Sequence, residues 1–158
     1  MSEKFFSENK QIVSKTDLKG NITYCNDLFI EMSGHSEAEL IGKSHNIVRD
    51  GFMSKTIFKL LWDNLKNEKE VFAYVRNRAK NGDFYWVYAN VTPSYDKSNR
   101  VIGYHSIRYS PEKEKVKIIE GIYRALSSAE KLLGISAAEK KLSEMSKGVN
   151  YEKFILNF

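Results

Sequence analysis

Two nearly continuous apolar runs, dense in aromatic and β-branched side chains, stand out from the polar stretches around them: Glu70–Arg78 and Phe84–Thr92. Such residues fit a pleated surface, so both segments are predicted strands. Between them lies Lys80-Asn81-Gly82-Asp83. Asn-Gly tolerates the positive φ of a tight primed turn, so the pair reads as a hairpin. A third run, Val101–Arg108, follows a polar loop and completes a three-stranded antiparallel meander. Period-two alternation puts Phe84, Trp86, Tyr88 and Asn90 on one face of the middle strand. Tyr85, Val87, Ala89 and Val91 lie on the other.

Upstream, Gln11–Thr16 and Ile22–Cys25 are shorter strand candidates joined by a turn at Asp17–Asn21, with Gly20 available for positive φ. Residues 3–10 read as a short helix or a loose arm. Asn26 or Asp27 can cap a short helix over Leu28–Met32, which Ser33-Gly34 ends. Ser36 with Glu39 forms a capping box for a second, stopping at Gly42. Lys43–Gly51 has no clean period and reads as a helical turn plus loop. Ile57, Phe58, Leu61 and Leu65 fall at helical spacing and predict a longer helix, Lys55–Leu65. The fold class is α+β: a five-stranded antiparallel sheet with short helices on one face. A cavity is expected wherever those helices fail to fill the space above the sheet.

Beyond residue 110 the pattern changes. Ser110-Pro111-Glu112 is a helix start. Val116, Ile119, Tyr123, Leu126 and Leu133 form an amphipathic stripe, followed by helical patterns over Ser136–Met145 and near Tyr151–Phe158. The organisation is thus residues 1–110 as one domain with a short N-terminal arm, and 111–158 as a helical extension outside that fold. The stripe, with Tyr151, Phe154 and Phe158, reads either as a lid on the open sheet face or as a dimerisation or partner-binding surface.

Composition narrows the function. The net charge of +5 is spread along the chain, nine basic and seven acidic residues in 112–158 and sixteen and thirteen elsewhere, so there is no basic tail and no nucleic-acid partner is expected. One cysteine, Cys25, precludes an intrachain disulfide and fits a reducing compartment. No apolar run is long enough for membrane insertion, and the N-terminus does not read as a signal peptide, so a cytoplasmic protein is expected. No nucleophile–base set and no glycine-rich phosphate loop is visible, so an enzyme is not expected. Three histidines, His35, His45 and His105, have no clustered metal-ligand spacing.

Several blocks together resemble a PAS domain of the aerotaxis-receptor type: Thr16-Asp17-Leu-Lys-Gly20-Asn-Ile-Thr-Tyr-Cys-Asn26-Asp27, Glu39-Leu-Ile-Gly42-Lys-Ser-His45-Asn46-Ile-Val-Arg49, Lys80-Asn-Gly-Asp-Phe-Tyr-Trp86-Val-Tyr-Ala-Asn90 and Gly103-Tyr-His-Ser106-Ile-Arg108. The resemblance covers about residues 11–109. It implies the PAS fold, a non-covalently bound FAD and redox or energy sensing; with the length and the tail it suggests a stand-alone cytoplasmic protein working beside a membrane-bound chemotaxis transducer, and the tail's apolar stripe suggests a homodimer. Where the family reads Asn-Met/Ile-Val-Arg-His-Pro-Asp-Met-Pro, this chain reads Asn46-Ile47-Val48-Arg49-Asp50-Gly51-Phe52-Met53-Ser54. Arg49 and Met53 match the family positions. Asp50, Gly51 and Phe52 replace its histidine, proline and aspartate.

The cofactor-site candidates are therefore Arg49, Trp86, Asn90, Asn26, Tyr88, His45 and Met53. Arg49 offers a planar fork of donors for a pyrophosphate or ring carbonyl, or pairs with a surface acid. Trp86 can lie over a flat ring, or fill core. An inward Asn90 needs a polar partner. Tyr88 shares its face. Asn26 is either a site residue or a helix cap. His45 lies beside Arg49 at helical spacing, and any one of His35, His45 and His105 could serve as the axial ligand if the protein is instead a haem-based oxygen or gas sensor. A cofactor-free interaction or dimerisation module and a small-metabolite sensor are the remaining alternatives.

Overall fold

The computed structural model describes residues 1–158. Its strands are β1 (Gln11–Asp17), β2 (Ile22–Cys25), β3 (Val71–Arg78), β4 (Phe84–Tyr95) and β5 (Val101–Tyr109). They form one antiparallel sheet in the order β2-β1-β5-β4-β3. On one face sit α1 (Asp27–Ser33), α2 (Glu37–Leu40), a 3-10 turn (His45–Val48) and α3 (Lys55–Lys66). This is the α+β arrangement predicted from the patterning, and it agrees with the PAS fold that the resemblance implies.

The local signals have identifiable causes. Asn26 caps α1 by accepting from Phe29 N–H at 3.1 Å, and Ser36 with Glu39 makes the capping box of α2. The hairpin differs from the expected two-residue primed turn. The loop runs from Ala79 to Asp83, and only Gly82 has positive φ (95°). Asn81 uses its side-chain oxygen to hold Asp83 N–H instead. The N-terminal arm is neither helical nor loose. Ser2 to Lys4 is extended and bonds Phe84 of β4, where β5 no longer reaches.

The C-terminal residues form α4 (Lys113–Leu133), α5 (Ile135–Met145) and α6 (Tyr151–Leu156). They do not stand apart from the domain. Val116, Ile119, Ile122, Tyr123 and Leu126 are buried in the same apolar cluster as Phe29, Ile57 and Val87. The stripe covers the chain's own sheet, on the face opposite α1–α3, with the Tyr123 and Trp86 rings 6.0 Å apart. Leu133 alone of the predicted stripe is left exposed, and Tyr151, expected at the surface, is buried. No helix is long and apolar enough to cross a membrane.

The tail also closes the free edge of β3. Tyr74 N–H donates to Tyr151 Oη at 3.3 Å, and Tyr123 O–H donates to Tyr74 C=O at 2.7 Å. The two hydroxyls are themselves hydrogen bonded. Tyr123 has one proton, and it goes to the carbonyl, so Tyr151 donates to Tyr123 and a closed ring of three bonds results. Phe72 N–H donates to Glu152 and Arg76 N–H to Met53 Sδ. Glu130 of α4 accepts from Ser54 Oγ, Lys55 N–H, Thr56 N–H and Thr56 Oγ1. Those are the unpaired donors at the positive end of α3, where a carboxylate is favoured.

Candidate functional site

A cavity of about 270 Å³ lies between α3, the 3-10 turn and the inner face of the sheet. Its floor is low because Ala73 and Ala89 are directly paired on β3 and β4, and Ala89 is paired in turn with Arg108 on β5. Two methyl side chains in one row leave room that larger residues would fill. At one end the walls are apolar: Leu65 and Trp62 of α3, Val71, Val91 and Tyr104. At the other end polar groups converge: His45, Asn46, Arg49, Asn77, Ser106 and Arg108.

Arg108 carries the main charge of the site. It donates from Nε to Ser106 Oγ at 3.0 Å and from Nη1 to Asn77 Oδ1 at 2.9 Å. Both partners are neutral, and none of the chain's ion pairs includes it. Its Nη2 has no protein acceptor. The surface it keeps faces the cavity, and desolvation lowers its pKa to about 10. His45 donates to or accepts from Ser14 Oγ through Nε2 at 3.1 Å and packs on the Phe29 ring. Burial, with the Arg108 charge adding to it, pushes its pKa down to about 3, so the imidazole is neutral at neutral pH. No Asp or Glu lines the cavity, whereas Lys19, Arg49, Lys59 and Arg108 do. Lys59 is paired with Asp63 and Glu139.

The seven candidates named from the sequence separate cleanly. Arg49 and His45 line the cavity. Arg49 is exposed at its mouth, its guanidinium 4.3 Å from the Phe58 ring. Trp86, Tyr88 and Asn90 do not belong to it. They occupy the outer face of β4, because alternation gives the inner face to Tyr85, Val87, Ala89 and Val91. Trp86 packs edge-on to Phe52 and near Tyr123. Tyr88 packs against Phe72 and Tyr74. Asn90 donates to Glu70 and to Val71 C=O. Asn26 is structural: its Oδ1 accepts from Phe29 and Val13 N–H and its Nδ2 donates to Gln11 C=O. Met53 is buried away from the cavity, its sulfur on the Arg76 amide.

Asp50, at the family's histidine position, also points elsewhere. It is buried, with Oδ2 3.3 Å from Arg76 Nε and 3.5 Å from Arg78 Nη2 of β3. Its Oδ1 accepts from Phe52 N–H. The Arg76 guanidinium lies between the rings of Phe84 and Phe52, 3.7 and 4.8 Å away. Asp50 and Phe52 therefore belong to a packed ion-pair and aromatic group at the β3 edge, and no negative charge enters the cavity. The residues that sequence reasoning missed are Arg108, Asn77 and Ser106. The available signal was the parity of Tyr104, Ser106 and Arg108, a polar series whose β4 partners, Pro93, Val91 and Ala89, are apolar.

The residues present fit a planar ring with one apolar and one acceptor-rich end. Strands rise about 3.4 Å per residue, so Tyr104 to Arg108 spans roughly 14 Å, enough for a three-ring system. The volume lies near the lower limit of about 300 Å³ for small-molecule pockets, so it suits a ring rather than a whole dinucleotide.

The family model for the PAS fold matches residues 22–108. The Escherichia coli aerotaxis receptor is 38% identical over 122 residues, 77% of this chain and 24% of that protein. The Pseudomonas aeruginosa biofilm dispersion protein BdlA is 29% identical over 86 residues, 54% of this chain and 21% of that protein. The chain thus spans about a quarter or less of the length of these curated relatives. Among solved structures, a PAS domain from Colwellia psychrerythraea superposes with a TM-score of 0.59 at 21% identity, covering 65% of this chain and 87% of that one. A light-oxygen-voltage domain studied with a flavin analogue gives 0.61 at 14% identity, covering 69% and 82%. These structural likenesses speak for the fold. With the family match and the aerotaxis-receptor identity, they make the chain a member of the PAS family, a sensory domain of the aerotaxis-receptor type.

Proposed function

We propose that this PAS domain is a redox or energy sensor that holds FAD non-covalently by its ring and signals to a chemotaxis-type transducer. The observation that carries the reading is the cavity: apolar at Leu65, Val71 and Tyr104, and lined at its other end by Arg108, Asn77 and neutral His45. Arg108, Asn77 and His45 would hold the acceptor-rich end of the ring. Arg49 and Lys19 at the mouth would meet the phosphates of a dinucleotide too large to be enclosed. When bound, the flavin supplies reversible electron transfer, and the chain positions it and excludes water. Kinship with the aerotaxis receptor supports sensing without turnover, and a membrane-bound transducer as partner. We further propose a homodimer acting in the cytoplasm. A haem is less well served. His45 is the only imidazole lining the cavity, and its Nε2 is bonded to Ser14.

The test is the absorbance spectrum of freshly purified protein. Oxidised-flavin bands that bleach with dithionite are expected, with FAD released on denaturation. Ala89→Leu, which fills the cavity floor, should lower flavin occupancy while far-UV circular dichroism is retained. Colourless protein that releases nothing would refute the reading in favour of a cofactor-free module, and a Soret band would replace it with haem.

A further inference from the structure

We propose that Arg108 sets the charge of the bound ring, stabilising the reduced flavin as its anion with the ionised edge of the pyrimidine against the guanidinium. The inference rests on the flavin reading of the cavity and deepens it by naming the residue that tunes the potential.

The argument begins with an uncompensated cation. Arg108 is half-buried, and a guanidinium largely withdrawn from solvent is normally matched by a carboxylate, because desolvation of an unpaired charge is costly. Arg108 has only the neutral Ser106 and Asn77 as partners. Those two bonds fix the plane of the fork and leave Nη2 to the cavity. The groups facing the same space are Tyr85 from β4, Tyr104 from β5, His45 from the 3-10 turn, and, toward the mouth, Arg49, Lys19 and Lys59. None is a carboxylate. Arg49 does not share the task, since it is exposed and lies over Phe58. No carboxylate of the chain meets Arg108 in the cavity, so its free donor is matched to an anionic edge on the occupant.

Reduced flavin is a weak acid at its pyrimidine edge. Two electrons with one proton convert the oxidised ring to the reduced anion, and two electrons with two protons give the neutral form. The electrons come from a two-electron reductant, such as a reduced nicotinamide in the cell or dithionite in the assay. A cation at the ring's ionising edge favours the first route. Each proton taken up with two electrons moves the potential by about 30 mV per pH unit, since tenfold in a two-electron equilibrium is 29.6 mV. The slope therefore counts protons. His45, with its pKa near 3, starts well below a pH 5.5–8 window and adds no proton of its own at the outset.

The experiment is a redox titration of the flavin-loaded protein from pH 5.5 to 8, beside free flavin under the same conditions. In the wild type the slope should stay near 30 mV per pH unit for at least one pH unit below the break of free flavin. In Arg108→Gln the break should return to the free value or above, with a slope near 60 mV below it. Arg108→Lys should fall between. If the wild-type break coincides with that of free flavin, or if a flavin-loaded Arg108→Gln keeps the wild-type break, the proposal is overturned while the flavin reading stands. If no flavin is bound at all, the reading fails first and takes this inference with it. The wild-type comparison alone decides the matter if the variants do not fold.

Discussion

Tyr123→Phe removes one oxygen atom from a fully buried side chain, and its cost can be worked from the ring of bonds at the β3 edge. Tyr123 accepts from Tyr151 and donates to Tyr74 C=O, and neither the carbonyl nor the Tyr151 proton has another partner. The variant loses two hydrogen bonds worth about 1 kcal/mol each and leaves a buried carbonyl and a buried hydroxyl unsatisfied, at about 1–3 kcal/mol apiece if neither relaxes. Part of that overlaps, so about 2–4 kcal/mol is expected, a large share of a typical total of about 5–15 kcal/mol. Tyr151→Phe should cost about 1–3 kcal/mol, since it orphans the Tyr74 amide. The double variant should cost less than the sum by about 1 kcal/mol, because it leaves no orphaned hydroxyl. Chemical denaturation followed by circular dichroism measures all three, with Tyr24→Phe at an exposed site as the control. A Tyr123→Phe loss below about 0.5 kcal/mol, or strict additivity of the pair, would refute the ring.

Glu130→Ala should cost about 2–3 kcal/mol, as it strips four donors at the start of α3 of a charged acceptor. Burial alone would raise the Glu130 pKa, but the bonds from Ser54 and Thr56 outweigh it and hold it below the usual value. The stabilisation is present above the ordinary carboxylate range and lost as pH falls through it. The gap between wild type and variant should therefore narrow in acid; a gap independent of pH would contradict the geometry. His45 acts with the same sign for a different reason. Its folded pKa near 3 lies below the 6.5 of a free imidazole, so the unfolded chain binds the extra proton between those values. Stability should fall on acidification below about pH 6.5 by at most about 1.4 kcal/mol per unit from this group, and His45→Gln should flatten that part of the profile. Gly103→Ala should cost more than about 3 kcal/mol or prevent folding, because a Cβ there would overlap the carbonyl oxygen of Thr16 on β1. A thermal melt within a few degrees of wild type would show that β1 and β5 can separate there.

The sheet and its caps were legible because each depends on neighbours in sequence. Asn26, Ser36 with Glu39, and the β3–β4 pair all act within a few residues of themselves. Alternation also divided β4 correctly into two faces, yet it could not say which face bounds the cavity. Both faces are apolar, since α4 covers Trp86 as fully as the inner helices cover Val87. Trp86, Tyr88 and Asn90 were accordingly assigned to the wrong side. Arg108 and Asn77 meet only because β4 pairs with β3 on one side and β5 on the other. That registration joins positions 31 residues apart and leaves no local trace. The amphipathic stripe of α4 was readable, but a stripe does not name what it covers.

The family match ends at Arg108, whereas the hydroxyls that close the β3 edge come from residues 123 and 151. The segment matched by the family model and the packed unit thus have different boundaries. A fragment cut at residue 110 would keep all five strands and every cavity-lining side chain. It would also bare the amides of Phe72 and Tyr74 along an aromatic-rich strand, the kind of template on which chains add to one another. Amide exchange at Phe72 and Tyr74 is therefore a gauge of whether the C-terminal helices are seated, readable without touching the cavity.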